Sequence, residues 1–163
     1  MEKYMFQLLD IAKSFLNQAN IKENSVLADF TMGNGHDTEF LSKTVGERGK
    51  VYAFDVQAQA VESTRARLRE VGCPDNYTLI LDSHHNAAKY ITEPIKAGMF
   101  NLGYLPGGDK SIHTMRESTM PAINGAISLL QKGGILVINV YPGHEEGKRE
   151  LQALLDWAQQ LDS

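Results

Sequence analysis

The sequence predicts an α/β fold in which a mostly parallel sheet carries helices on both faces. Short apolar runs of strand length alternate along the chain with segments whose apolar residues recur at helical spacing. A turn with two glycines follows the first apolar run and leads into a helix, as in nucleotide-binding βαβ units. Sheets of this kind bind ligands beyond the carboxyl ends of their strands, so the polar residues at those ends form the candidate site.

Five strands are predicted from short apolar runs that turn-forming residues bound. The first run leads into the glycine turn, the second reaches Asp55, and the third ends before Asp82. The fourth begins at Met99, and the fifth begins at Ile135 after a pair of glycines. In chain order the predicted strands span 26–31, 50–56, 77–81, 99–105 and 135–140.

Helices are predicted where apolar residues recur three or four positions apart. Asn20 tolerates the left-handed backbone that ends the first helix, and Gly72 closes the helix before the third strand. The helix before the last strand has Pro121 in its first turn and stops at Gly133 and Gly134. The first three predicted helices are 2–19, a short one through Phe40 and Leu41, and 57–71, whose apolar face carries Ala60, Val61, Thr64, Leu68 and Val71. A fourth begins at His84 and His85, and a fifth begins at Ser118 or Thr119. The last is amphipathic and carries Leu151, Leu154, Leu155, Ala158 and Leu161.

Length and composition predict an ordinary globular protein. We expect residues 1–163 to form one domain with an N-terminal helix, since 42% of the residues are hydrophobic. No segment resembles a signal peptide or a membrane span, and a single cysteine fits a reducing compartment, so a cytoplasmic location is expected. The net charge of −4 argues against a long groove for nonspecific nucleic-acid binding, so an RNA partner would meet a local patch.

The segment from Asp29 to Thr38 predicts a nucleotide-binding turn. It reads Asp-Phe-Thr-Met-Gly-Asn-Gly-His-Asp-Thr, and Asp55 follows at the end of the next strand. Gly33 and Gly35 can take positive φ and let the backbone approach a ligand closely. A carboxylate at Asp55 can accept hydrogen bonds from both hydroxyls of a ribose. The pattern therefore favours an adenosine-containing cofactor over a plain loop between a strand and a helix.

A missing glycine disfavours one class of adenosine-containing cofactor. Dinucleotide-binding oxidoreductases require a third glycine where this chain has Thr38, which argues against NAD or FAD. The segment instead resembles the first motif of class I S-adenosylmethionine-dependent methyltransferases, which have a Rossmann-like sandwich fold. That fold normally ends with two further strands at an antiparallel edge, and the chain has no residues left for them. Either the sequence is cut short or the fold is a reduced version, and we expect the former because an unprotected sheet edge is a liability.

The resemblance to class I methyltransferases assigns cofactor contacts to the strand ends. Asp82 and the backbone of Ser83 are expected at the adenine amino group. Asp37 either holds the methionine ammonium or caps the following helix. His85 is expected at the surface, whereas His84 is either a surface residue or part of the site. The candidate cofactor-binding residues are Thr31, Gly33, Asn34, Gly35, Asp37, Thr38, Asp55, Gln57, Asp82, Ser83, His84 and Asn101.

The end of the fourth strand supplies candidate residues for the target side of the site, where the substrate that accepts the methyl group would bind. Amino-directed methyltransferases have an asparagine or aspartate, two prolines and an aromatic residue at the comparable position. Asn101 and Tyr104 stand at the matching spacing, but both prolines are missing. The alternative is a strand end followed by a glycine-rich loop.

Residue chemistry narrows the reaction. Cys73 lies in a loop away from the predicted strand ends, which disfavours thiolate attack on a pyrimidine carbon. The five histidines show no ligand spacing, so no metal is expected. Direct displacement by a neutral amine or hydroxyl remains, with Asp109 or His144 as candidate proton acceptors.

Three blocks of sequence resemble a small bacterial family known as "putative rRNA methylases". These blocks are the glycine turn, Phe-Asn-Leu-Gly-Tyr-Leu-Pro-Gly-Gly-Asp from Phe100, and Tyr-Pro-Gly-His from Tyr141. Gram-positive members act as tRNA 5-aminomethyl-2-thiouridine methyltransferases. The resemblance implies methylation of the aminomethyl nitrogen on a wobble uridine, with the tRNA anticodon stem-loop as partner.

The same resemblance implies a substrate surface beyond the fourth and fifth strands. Aromatic residues there can stack on the extruded base, and cations can contact phosphates, although a solvated helix face would also carry such charges. The substrate-side candidates are Tyr104, Pro106, Arg116, Tyr141, Lys148 and Arg149, and the candidate catalytic residues are Asn101, Tyr104, Asp109 and His144.

Other functions and the oligomeric state stay open at this point. A methyltransferase acting on rRNA or on a small amine, and a noncatalytic nucleotide sensor, fit the same fold. A homodimer would help so small a protein to span an anticodon arm, and the first helix would serve either as the dimer face or as a lid over the cofactor.

Overall fold

The computed structural model describes residues 2–102, 116–140 and 145–161. In these ranges five strands form one parallel sheet in the order β3-β2-β1-β4-β5. The strands are β1 (Val26–Asp29), β2 (Lys50–Asp55), β3 (Tyr77–Leu81), β4 (Ile95–Leu102) and β5 (Leu130–Val140). The helices are α1 (Glu2–Gln18), α2 (His36–Val45), α3 (Ala58–Glu70), α4 (Arg116–Leu129) and α5 (Glu145–Leu161), and a 3₁₀ helix spans His84–Lys89.

The two faces of the sheet pack against different helices, which confirms the predicted class. Successive strand residues point to opposite faces, so each strand contributes to two apolar layers. On one face α1 and α2 cover the central strands, and α3 covers β2 and β3. On the other face the 3₁₀ helix, α4 and α5 form the cover. Fully buried side chains of the two layers include Leu27, Val51 and Met99 on the first face and Phe30, Phe54 and Phe100 on the second.

The order of strands reverses between β1 and β4. The chain proceeds outward from β1 to β3 and then returns to place β4 on the other side of β1. Beyond β1 the backbone stays fixed to both neighbours, because Phe30 N donates to Met99 O at 2.9 Å and Met32 N to Phe54 O at 2.9 Å. A crevice at such a reversal is the usual ligand site of an open α/β sheet.

The fourth and fifth strands begin earlier than predicted. β4 starts at Ile95 and not at Met99, because Gly98 belongs inside the strand. A Cβ at Gly98 would lie 2.7 Å from Cε2 of Phe30, so the glycine makes room for that ring. β5 starts at Leu130, which pairs with Ile95, although regular pairing resumes only at Ile135.

Several helix boundaries also differ from the prediction. α4 begins at Arg116, so Pro121 lies inside the helix and not in its first turn. It ends at Leu129, because the next residue pairs with β4, and the glycines at 133 and 134 fall within β5. Val71 is 37% exposed, since α3 has already ended at Glu70. Asn20 has a φ of 51°, which confirms the predicted left-handed stop. In the described ranges every helix is too short or too polar to cross a membrane.

Candidate active site

The turn between β1 and α2 depends on two left-handed glycines. Gly33 has a φ of 51°, and Gly35, which caps the start of α2, has a φ of 80°. A Cβ at Gly35 would lie 2.9 Å from the Cα of Thr64 in α3. Gly35 is therefore required by its backbone conformation and by the close approach of a neighbouring helix.

Two side chains of α3 hold this turn from behind. Thr64 donates its hydroxyl to the carbonyl oxygen of Gly33 at 3.0 Å, and Arg67 Nε donates to the carbonyl oxygen of Asn34 at 3.0 Å. Arg67 also binds Glu39 at 2.9 Å and His36 Nε2 at 3.0 Å. Because a guanidinium can only donate, His36 Nε2 accepts this bond. Burial, and next the Arg67 cation, lower the pKa of His36.

Asp55 bridges the ends of β1 and β2. Its Oδ2 accepts from the backbone N–H of Gly33 at 3.1 Å, and its Oδ1 accepts from that of Gln57 at 2.9 Å. Burial raises the pKa of Asp55, and these backbone hydrogen bonds oppose the shift. Gln57 occupies the N-cap position of α3. The structure thus brings the predicted turn and the predicted carboxylate together at one edge of the sheet.

Asp29 is a buried carboxylate that the sequence analysis did not assign. Its Oδ1 accepts from Thr31 N at 3.1 Å, and its Oδ2 accepts from the Thr38 hydroxyl at 2.6 Å. Burial, followed by the nearby Asp37 charge, raises the pKa of Asp29 to about 7. Thr38 is itself fully buried, a placement that favours support of the turn over the predicted contact with the cofactor.

A chain of hydrogen bonds joins Asp37, Asn101 and Asn139. The Asn101 amide donates to Asp37 Oδ2, and Asn101 Oδ1 accepts from Asn139 Nδ2 at 2.8 Å. The backbone N–H of Asn101 donates to the Thr31 hydroxyl at 2.7 Å. Burial raises the pKa of Asp37, and the Asn101 bond opposes that shift.

The helix-capping alternative for Asp37 is wrong. Gly35 occupies the N-cap position of α2, and no side chain caps that end. Asp37 lies in the first turn of α2, and its Oδ1 is buried without a hydrogen-bond partner among the described residues. A buried carboxylate oxygen without a partner suits a ligand that carries a hydrogen-bond donor.

The residues after β3 turn back toward the centre of the sheet. Asp82 accepts from Ser83 N at 2.7 Å, Asn86 Nδ2 at 2.9 Å and the Tyr90 hydroxyl at 2.8 Å, which lower its pKa. Its carboxylate thereby fixes the 3₁₀ helix. His84 Nδ1 lies 3.0 Å from the carbonyl oxygen of Phe30, and His85 is exposed as predicted.

The remaining predicted residues fall into two groups. Arg116 begins α4, while Lys148 and Arg149 are exposed near the start of α5. Among the described residues no group of three or more potential ligands is arranged to hold a metal ion. The predicted residues that lie outside the described ranges are Tyr104, Pro106, Asp109, Tyr141 and His144.

The strand order, the glycine turn and the acidic residue at the end of β2 define a class I S-adenosylmethionine-dependent methyltransferase. This confirms the predicted fold. The chain belongs to the family described as "Putative rRNA methylase", whose model matches residues 51–163.

Comparisons with individual proteins agree with this family. A crystal structure of a "putative rRNA-methylase" from Clostridium thermocellum is 45% identical, with a TM-score of 0.83 over 85% of this chain and 75% of that one. A "putative methyltransferase" from Streptococcus mutans, solved in complex with SAH, is 44% identical, with a TM-score of 0.84 over 95% of this chain and 82% of that one. The chloroplastic tRNA (mnm(5)s(2)U34)-methyltransferase of Arabidopsis thaliana is 38% identical over 144 residues, which are 82% of this chain. The chain spans about half of that relative's length, 53%.

Proposed function

We propose that this protein methylates the aminomethyl nitrogen of 5-aminomethyl-(2-thio)uridine at the wobble position of tRNA, giving the 5-methylaminomethyl form. The observation that supports this choice of substrate is the 38% identity, over 82% of this chain, with the Arabidopsis tRNA methyltransferase. S-adenosylmethionine is the cofactor of this class and supplies an electrophilic methyl group on a sulfonium. The chain's own residues bind, align and exclude water around that group.

The donor and acceptor groups at the edge of the sheet fit this cofactor. Asp37 Oδ1, buried and without a partner in the described part of the chain, suits the methionine ammonium. Asp55, which is fixed by the backbone N–H groups of Gly33 and Gln57, is proposed to accept from the ribose hydroxyls, and the Ser83 backbone is proposed to meet the adenine. Gly33 and Gly35 let the backbone come close to the ligand. Thr31, Asn34, Gln57, Asp82 and Asn101 complete the proposed cofactor site.

The target side of the site suits direct attack by an amine. Asn101 Oδ1 accepts from Asn139 and keeps one lone pair for a donor on the target nitrogen. Cys73 lies between α3 and the start of β3, at the opposite edge of the sheet, so a thiolate cannot activate a pyrimidine carbon from there. Tyr104, Asp109 and His144 remain proposed participants on the basis of the family resemblance.

Cations near the same edge are proposed to contact the anticodon arm. α4 leads toward the start of β5, and α5 follows the end of β5, so both helices begin on the carboxyl side of the sheet. Arg116, Lys148 and Arg149 therefore flank the proposed site, and Tyr104, Pro106 and Tyr141 are the proposed contacts to the base. Such patches let a protein with a net charge of −4 bind a polyanion locally.

The test is methyl transfer by the purified protein to tRNA that carries the unmethylated aminomethyl group. We expect the 5-methylaminomethyl nucleoside to appear by mass spectrometry, in proportion to released S-adenosylhomocysteine. The family description favours rRNA as a second candidate, so ribosomal RNA and a free primary amine are assayed in parallel. Turnover on either of these, with none on tRNA, would overturn the proposal.

A further inference from the structure

Only two buried side-chain oxygen or nitrogen atoms lack a hydrogen-bond partner within the described residues, Asp37 Oδ1 and His84 Nε2. Leaving a buried acceptor unpaired destabilises the fold, so each such atom calls for an explanation, and a catalytic role is one of them. Both atoms belong to elements at the carboxyl edge of the sheet. The cofactor ammonium accounts for Asp37, and nothing in the proposed cofactor site accounts for His84.

The hydrogen bond from His84 to Phe30 identifies the ring nitrogen that carries the proton. The carbonyl oxygen of Phe30 can only accept, so the Nδ1 atom, 3.0 Å away, carries the proton. Nε2 therefore presents a lone pair. The ring also packs edge-on against Phe100, with centroids 5.5 Å apart and planes at 71°, and Phe100 stacks on Phe30 at 4.5 Å. The imidazole is thus held in one orientation and in one tautomer.

The position of His84 favours the target side of the site over the adenine side. The residue follows β3, but its contacts are with Phe30 beyond β1 and Phe100 in β4. Both rings lie on the sheet face that the 3₁₀ helix covers, beside the point where the strand order reverses. The backbone one residue further on is joined across that reversal, because Asn101 N donates to the Thr31 hydroxyl at 2.7 Å. The adenine side lies at the ends of β2 and β3, where Asp55 and Asp82 stand.

We propose that His84 is a catalytic residue, whose Nε2 accepts a hydrogen bond from the target amine and then its proton. The proposal rests on the proposed function, because it requires an amine target. The nitrogen lone pair forms the new N–C bond, and the electrons of the broken C–S bond remain on sulfur. The methylated nitrogen is then cationic and loses one proton to Nε2, leaving a neutral secondary amine and an imidazolium.

The surroundings of His84 favour the neutral imidazole, which this role requires before methyl transfer. Burial lowers the pKa of His84 and so favours the neutral ring, in which Nε2 carries a lone pair. The hydrogen bond to the Phe30 carbonyl oxygen opposes this shift. The two residues that contact the His84 ring directly, Phe30 through its carbonyl oxygen and Phe100 through its ring, carry no charge.

Two substitutions at His84 distinguish the structural hydrogen bond of Nδ1 from the proposed catalytic role of Nε2. His84→Asn keeps a donor near the position of Nδ1 but removes the distal lone pair, and we expect kcat to fall about 100-fold, the scale of general-base catalysis. His84→Gln restores a distal acceptor that takes no proton, so its kcat should be intermediate and rise with pH as the amine deprotonates unaided. The dissociation constant for S-adenosylhomocysteine should stay unchanged in both. His85→Asn is the matched control and should turn over like the wild type.

Nuclear magnetic resonance of the wild type gives a readout that does not depend on the variants' folding. With S-adenosylhomocysteine bound, the ¹⁵N signal of His84 Nε2 should shift when an anticodon stem-loop carrying the aminomethyl group is added. An unmoved signal would overturn the inference, as would a His84→Asn variant with wild-type kcat or one whose only defect is weaker cofactor binding. Wild-type inactivity on aminomethyl tRNA would instead remove the proposed function, and this inference with it.

Discussion

Asn101, in β4, donates its side-chain amide to the carboxylate of Asp37 in the first turn of α2. The bond links the residue proposed to meet the target with the residue proposed to hold the cofactor. Asn139 fixes the other end of the same amide. A change at any member of this chain of hydrogen bonds should therefore be measured on both ligands, because buried polar networks do not divide into independent pairs.

The charge of Asp37 should decide cofactor affinity. Asp37→Asn keeps an acceptor for Asn101 but removes the charge that faces the cofactor ammonium. Since a hydrogen bond to a charged group contributes about 1.5–3 kcal/mol, calorimetry should show S-adenosylhomocysteine binding weakened roughly 10- to 100-fold. Asp75→Asn, an exposed residue between α3 and β3, changes the net charge equally and should bind as the wild type does. Equal affinity in the two variants would contradict the assignment of Asp37.

Two glycine substitutions should separate backbone strain from steric conflict. Gly35→Ala and Gly72→Ala both place a side chain at positive φ, at 80° and 66°, which costs about 1–2 kcal/mol. Only at Gly35 does the new Cβ meet another element, since nothing lies within 4 Å of a Cβ at Gly72. We expect urea unfolding to show Gly35→Ala less stable than Gly72→Ala by about a further 1–3 kcal/mol. Similar losses would mean that α3 can move away from the turn.

Local sequence patterns were sufficient to predict the bounds of a strand where the segment determines its own structure. The third strand was predicted with both ends correct, because an apolar run between turn residues specifies it. The start of β4 was predicted wrongly for a long-range reason. Gly98 pairs with both neighbouring strands, and it is a glycine because the ring of Phe30 occupies the space that a side chain would need; no local pattern carries that information.

The same distinction applies to the candidate site. The glycine turn and Asp55 follow a motif with known spacing, so they could be found in the sequence. Arg67, Thr64 and Asn139 could not, because their bonds reach across 33, 31 and 38 positions. Asp29 did carry a local signal, as a carboxylate at the end of a buried strand, and its burial became evident only in the fold.

The buried Asp29 should make the cofactor-free protein less stable as pH rises. Its pKa is raised from 3.8 to about 7 in the folded state, so the stability it contributes is present below pH 3.8 and is lost as pH rises through about 7. In Asp29→Asn the Thr38 hydroxyl can turn to accept from the new amide, and this titration is absent. Because one pKa unit corresponds to about 1.4 kcal/mol, wild type should lose roughly 2–4 kcal/mol relative to the variant between about pH 4 and pH 8. Parallel curves of unfolding free energy against pH would show that Asp29 is ionised throughout.

The RNA surface proposed at the start of α5 can be tested through salt dependence. Arg149 is exposed beside the carboxyl edge of the sheet, whereas Lys132 is exposed near the start of β5, at the opposite edge. Removing one cation that contacts a phosphate should reduce the slope of log KM for tRNA against log salt concentration by about 1. We therefore expect Arg149→Gln to raise KM and flatten that slope, Lys132→Gln to leave both unchanged, and neither to alter the affinity for S-adenosylhomocysteine. If the two variants respond alike to salt, the tRNA does not lie against the first turns of α5.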